Sequence, residues 1–216
     1  MKLRLLGEAL GSFFLFSTVV GSGIMAERLA GGNMAVALLG NAAATGAMLF
    51  VLITMLGPVS GAHFNPVVSL VMRLRGNCCW KGLLATVAVQ LLAGILGVWA
   101  AHLMFDLPIV QISHKARTGM GQWVGEFIAT FGLLLTIIGT AKHRAAAVPA
   151  SVALYITAAY WFTSSTSFAN PAITIARSLS DTFAGIAPMD IPGFVLAQLA
   201  GGLVALRLAR TLFPAA

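Results

Sequence analysis

The sequence predicts an all-α membrane protein, six spanning helices plus two re-entrant half-helices, arranged as two inverted repeats. Three observations predict it. Hydrophobic residues fill 59% of the 216 positions and charged residues only 9%, against the roughly 25% charge of an ordinary soluble domain. Nearly charge-free stretches recur along the whole chain, with a mean hydropathy of +0.94. An Asn-Pro pair after a small, polar approach occurs twice, at Asn65-Pro66 and Asn170-Pro171.

The expected spans run over about 4–26, 34–56, 80–104, 121–141, 147–164 and 190–212. Each is near the ~20 residues that cross ~30 Å of hydrocarbon. Glu27-Arg28, Gly57-Pro58, Arg73 and Arg75, Asp106-Leu107-Pro108 and Lys142-His143-Arg144 mark their ends, and Pro188 and Pro192 bracket the start of the last. The first span carries Glu8 and outruns a signal h-region, so it reads as a retained helix. Cys78 and Cys79 are adjacent. That spacing suits neither a structural disulfide nor a metal site, and both read as small residues where a helix begins.

Two segments do not fit plain spans. Residues 60–72 and 166–177 each pass from the polar approach through Asn-Pro into roughly ten mostly apolar residues. Ten helical residues rise only ~15 Å, half a membrane. Proline belongs in a first turn and asparagine before it is a good N-cap. Each segment therefore reads as a half-helix starting near the midplane.

The net charge of +7 could point to nucleic acid, but the cations sit in short runs between apolar segments. With six spans, one side collects nine cations (Lys2, Arg4, Arg73, Arg75, Lys81, Lys142, Arg144, Arg207, Arg210) and the other four, Arg28, Lys115, Arg117 and Arg177. The positive-inside rule then places both termini in the cytoplasm.

The two halves also repeat. Gly7-Glu8 and Gly125-Glu126 lie 118 apart, Asn65-Pro66 and Asn170-Pro171 105 apart, and Gln90 and Gln198 108 apart. Repeats over 1–105 and 119–216, each with three spans, must be inverted relative to each other, which places a site at the midplane between them. The half-helices then meet N-terminus to N-terminus, each end carrying about half a positive charge. Asn65 and Asn170 would offer N–H donors to a neutral solute at a level where cations are rejected, a logic for which aquaporin pores are a standing instance.

Ser60-Gly-Ala-His63-Phe-Asn65-Pro66-Val67 and Asn170-Pro171-Ala172 resemble the paired signature of the aquaporin (major intrinsic protein) family. Val67 stands where the family has alanine. The resemblance covers essentially the whole chain, and implies an aquaporin-like hourglass fold with one pore per subunit, in a homotetramer in the cell membrane. It also locates a four-residue filter by spacing from the asparagines: Thr45, Ala158, Ser167 and Ile173. Water channels usually carry an aromatic in place of Thr45, often a histidine in place of Ala158, and most members an arginine in place of Ile173. These departures imply a wider, less polar constriction. Arg177 lies one turn beyond Ile173 and either points back to the pore mouth or snorkels to the outer surface. The string 170–186 resembles bacterial aquaporins associated with arsenic resistance, which implies permeation by neutral metalloid hydroxides beside polyols and water.

Plainer roles are expected elsewhere. Glu8 and Glu126, matched between repeats, are expected to accept from backbone N–H groups of the re-entrant loops. His63 is expected to hold its loop by a hydrogen bond, and His102, His114 and His143 to be solvated. No nucleophile–base pair, phosphate loop or metal spacing is visible, so no enzyme, cofactor, metal or nucleic-acid role is expected. A strict water channel and a secondary transporter remain the alternatives.

Overall fold

The computed structural model describes residues 1–76 and 79–214. Cys78 lies outside them. Eight helices follow in order: α1 Lys2–Leu29, α2 Met34–Ser60, α3 Pro66–Leu74, α4 Trp80–Met104, α5 Met120–Arg144, α6 Val148–Phe162, α7 Pro171–Arg177 and α8 Ile191–Leu212. Single 3-10 turns precede α6 and α8. Four stretches long and apolar enough to span contain one long helix each, and the fifth, Met120–Phe162, contains both α5 and α6. Among the described residues every regular element is helical and five stretches are long and apolar enough to cross a membrane, in line with the class expected from composition.

Several boundaries differ from expectation, and the clearest have a local reason. α2 does not stop at Gly57-Pro58 but continues to Ser60, because its terminating residue is Gly61. Gly61 takes φ +90° and donates its N–H to the Gly57 carbonyl, a left-handed cap that suits glycine. α6 ends early, at Phe162, where Thr163 turns extended. The half-helices are nine and seven residues long, rising roughly 14 and 11 Å at 1.5 Å per residue.

Glycine sets how closely the long helices pack. A Cβ on Gly97 of α4 would sit 2.3 Å from the Phe13 carbonyl oxygen of α1, and one on Gly201 of α8 2.4 Å from that of Phe127 on α5. Backbone thus meets backbone in α1/α4 and again in α5/α8, as expected where small residues drive packing in lipid.

Segment 105–119, between α4 and α5, lies over the chain that follows α7. Ser113 N donates to Ser178 O at 2.8 Å and Ala187 N to Lys115 O at 2.8 Å. His102 joins the same arrangement, which corrects the expectation that it is solvated. It is fully buried, with Nδ1 2.8 Å from the Ile109 carbonyl oxygen and Nε2 2.8 Å from Ser180 Oγ. A carbonyl only accepts, so Nδ1 is the protonated nitrogen. His114 and His143 are exposed.

Candidate functional site

Each re-entrant loop reaches the midplane by an alternating backbone. Ala62 and Phe64 take φ of 49° and 48°, and Ser167 and Ala169 take 50° and 47°. Left-handed geometry costs a non-glycine residue roughly 1 kcal/mol or more, so something must hold it. The holders are two buried carboxylates. Glu8 accepts from His63 N at 2.9 Å and Phe64 N at 2.8 Å. Glu126 accepts from Phe168 N and Ala169 N, both at 2.8 Å. Gln90 then donates to Glu8 at 2.7 Å and to Ser69 at 3.0 Å, while Gln198 donates to Glu126 at 2.6 Å and to Thr174 at 2.9 Å. Without these acceptors the loop N–H groups would be unsatisfied in a water-poor interior. His63 contributes through its ring, with Nδ1 3.0 Å from Ser69 Oγ on α3.

The two half-helices begin against each other. Asn65 caps α3 by accepting from Val67 N at 2.9 Å, and Asn170 caps α7 by accepting from Ala172 N at 3.0 Å and Ile173 N at 3.3 Å. Each amide also crosses the midplane: Asn65 Nδ2 donates to Ala169 O at 2.7 Å, and Asn170 Nδ2 donates to Phe64 O at 2.8 Å. A carboxamide nitrogen carries two hydrogens, so one from each asparagine is left for the cavity both residues line. Pro66 and Pro171 fill the first-turn position where a missing N–H costs nothing.

That cavity has a volume of about 310 Å³. Its walls are rows spaced four residues apart, Thr45, Leu49 and Ile53 on α2 and Val148, Val152, Ile156 and Tyr160 on α6. The α6 row overturns one expectation. Ala158 is exposed on the outer face of α6, about 200° around the helix from Tyr160 at 100° per residue. Because α6 stops at Phe162, its inward row reaches the mouth ten residues before Asn170, at Tyr160. The four-residue row of Val148, Val152, Ile156 and Tyr160 was the sequence signal that could have found it.

At the α7 end of the cavity, Thr45 Oγ1 lies 3.3 Å from Tyr160 Oη. Ser167 lines the cavity beside them, and its buried Oγ has no hydrogen-bond partner among the described residues. Ile173 supplies an aliphatic wall. One side of this ring therefore offers hydroxyls and the other methyl groups. Arg177 also lines the cavity and is only 2% exposed, so it does not snorkel to the surface. Its Nε donates to the Ala184 carbonyl oxygen and its guanidinium lies over the Phe168 ring.

Arg117, from segment 105–119, lies over the same ring. Burial is the main cause lowering its guanidinium from the usual value, and nearby Glu126 opposes that shift. Val67, buried at the head of α3, meets α8 where a Cβ on Gly202 would lie 2.4 Å from its Cγ1. A larger residue on the half-helix is thus matched by none on its neighbour. Among the described residues no cluster of His, Cys, Asp or Glu could hold a metal ion.

Comparisons with known proteins agree with this geometry. The family model of the major intrinsic proteins matches residues 2–167. Aquaglyceroporin AqpS of Rhizobium meliloti (strain 1021) is 54% identical over 209 residues, covering 97% of this chain and 89% of the relative. Nodulin-26 of Glycine max is 32% identical over 145 residues, covering 66% of this chain and 52% of its own length. The chain thus spans about half the length of that plant relative. The crystal structure of the aquaglyceroporin from Plasmodium falciparum superposes with a TM-score of 0.73 over 98% of this chain and 96% of that one, at 19% identity, a likeness of fold. With the matched loops, the facing asparagines and the apolar helices, these findings place the chain in the major intrinsic protein (aquaporin) family of multi-pass membrane channels, not among enzymes.

Proposed function

We propose that this chain is a passive channel for uncharged solutes larger than water, polyols such as glycerol and neutral metalloid hydroxides such as arsenous acid, with water also passing. The observation that carries the reading is the composition of the α7-side ring. Thr45 takes the place of a bulky aromatic and Ile173 the place of a fixed cation, so the ring is hydroxyl-lined on one side and aliphatic on the other. A polyol has the same two characters, oxygens on one edge and C–H groups on the other, and a site of mixed character recognises it. The name of the relative that is 54% identical, an aquaglyceroporin, supports the same class.

The channel is built from inverted repeats over 1–105 and 119–216, assembles as a homotetramer in the cell membrane, and keeps both termini in the cytoplasm, as the charge bias implies. Glu8 and Glu126 are spent on the re-entrant loops, which leaves no intramembrane acid for ion coupling and speaks against a secondary transporter. A strict water channel is the second reading, favoured by the Tyr160 phenol, which adds bulk to the ring.

Permeability measured in proteoliposomes for water, glycerol and arsenous acid separates the two. The unaltered protein should pass all three. Thr45→Phe with Ile173→Arg should cut glycerol and arsenous acid flux at least tenfold and water flux much less. If the unaltered protein passes water alone, the polyol reading is wrong.

A further inference from the structure

Two arginines converge on one phenyl ring at the α7 mouth. The guanidinium carbon of Arg177 lies 3.4 Å from the Phe168 ring centroid and that of Arg117 lies 5.0 Å from it. Arg177 is 2% exposed yet lines the cavity. Its Nε donates to Ala184 O, and no hydrogen bond among the described residues uses its two terminal nitrogens. A carbonyl and a ring face offset part of the burial cost through dipole and quadrupole, but neither cancels the charge. Among the described residues no carboxylate pairs with it directly, and of the carboxylates only Glu126 attracts it from further off. A buried guanidinium so weakly compensated is costly, and it borders the channel lumen.

Arg117 braces the surroundings of that charge. Its Nε donates to Gly185 O at 2.8 Å, its Nη1 to Ser165 O at 3.3 Å, and its backbone N to Asp190 at 2.7 Å. Gly185 adjoins the residue that holds Arg177, and Ser165 belongs to the loop that carries Phe168. The half-helix on the other side has no equivalent. Val68 and Met72 follow Asn65 at the spacings at which Ile173 and Arg177 follow Asn170, and all four line the cavity.

We propose that Arg177 is the mouth cation of this channel, set one turn outward from Ile173, and that Arg117 is a positioning residue that holds Phe168 and the 184–185 turn against it. The proposal rests on the channel reading above and adds to it a fixed charge that turns away protons and metal cations. Placed one turn further out, the charge leaves the hydroxyl and aliphatic ring free for a polyol while still raising the barrier for a cation.

The test uses proteoliposomes of equal inserted protein, with proton and sodium leak read by trapped dyes and glycerol flux by light scattering. Arg177→Gln and Arg177→Met, the latter copying the residue at the matching place of α3, are each expected to raise cation leak at least tenfold, with glycerol flux in the same vesicles reporting that the pore is inserted and open. Whichever variant inserts carries the test. Ile173→Arg on either background should restore cation exclusion and lower glycerol flux. Arg117→Ala should leak less than Arg177→Gln and add nothing to it in the double variant, because a residue that acts only through Arg177 cannot contribute once Arg177 is gone. Unchanged cation leak with preserved glycerol flux would overturn the assignment of Arg177. Further leak in the double variant would overturn the positioning role of Arg117. Loss of the channel reading itself would show separately, as an absence of glycerol flux in the unaltered protein.

Discussion

The α3 and α7 halves of the pore are alike at the midplane and unlike at the mouth. Glu8 with Gln90 holds the first loop as Glu126 with Gln198 holds the second, donor for donor. Seven residues past the asparagine the halves part, with Met72 on one side and Arg177 on the other. The second half alone is overlaid by a long connecting segment, 105–119, pinned to it through Ser113, Lys115 and Arg117. Shared geometry is found where backbone must be satisfied in lipid, a demand that is the same from either face. Differences are found at the mouth, where side chains meet the permeant and nothing requires symmetry.

The largest expected effect breaks the shared part. Glu8→Ala would strand three buried donors, His63 N, Phe64 N and the Gln90 amide, and Glu126→Ala the matching three. At about 1–3 kcal/mol per unsatisfied group, each variant should fail to yield folded protein in detergent, as judged by gel filtration. If one variant were well folded and the other not, the two halves would not be equivalent where the geometry says they are.

Next come the close helix contacts. Gly97→Ala and Gly201→Ala each drive a methyl group toward a carbonyl oxygen, which should cost about 1–3 kcal/mol and lower the thermal midpoint. Similar losses would support equal packing of α1/α4 and α5/α8. An unchanged midpoint in either would mean that those helices move apart freely.

The facing asparagines should yield a smaller effect on stability and a clearer one on function. Asn65→Asp or Asn170→Asp keeps the N-cap but sets a carboxylate oxygen against the carbonyl that the amide had bonded, Ala169 or Phe64. About 1–2 kcal/mol is lost with that bond, and the new negative charge should increase cation leak in liposomes. Equal leak in parent and variants would remove these side chains from the conduction path.

The smallest effect concerns Val67, the residue in which the two motifs differ. Val67→Ala removes two methyl-sized groups, one of which, Cγ1, faces Gly202, together worth about 1.6 kcal/mol at 0.8 per group, and Gly202→Ala on that background should recover part of it. A thermal melt that ranks the double variant below the single one would contradict the exchange of bulk between α3 and α8.

Much of this was legible in the sequence because it follows from rules with one outcome. Spans need apolar length, half-helices need a cap and a proline, and a carboxylate at the same place in each repeat needs a shared partner. The mouth was less legible. Counting back from Asn170 reached Ala158, two residues away from the inward-facing row of α6, and Tyr160 went unseen despite its four-residue spacing from Ile156. His102 looked like a residue near the end of a span and is buried, because segment 105–119 folds back over it, a tertiary event with no local signature. Arg177 was ambiguous for the same reason. Only the placement of Phe168 and Ala184 decides between lumen and surface.

The central claim is that neutral solutes pass passively through one continuous path lined by Asn65, Asn170 and the α7-side ring. Glycerol uptake into proteoliposomes tests it most directly, followed across a range of gradients with and without a proton ionophore. The account predicts flux well above protein-free vesicles, proportional to the gradient and indifferent to the ionophore. Accumulation above the external concentration, or flux that vanishes when the proton gradient collapses, would contradict it.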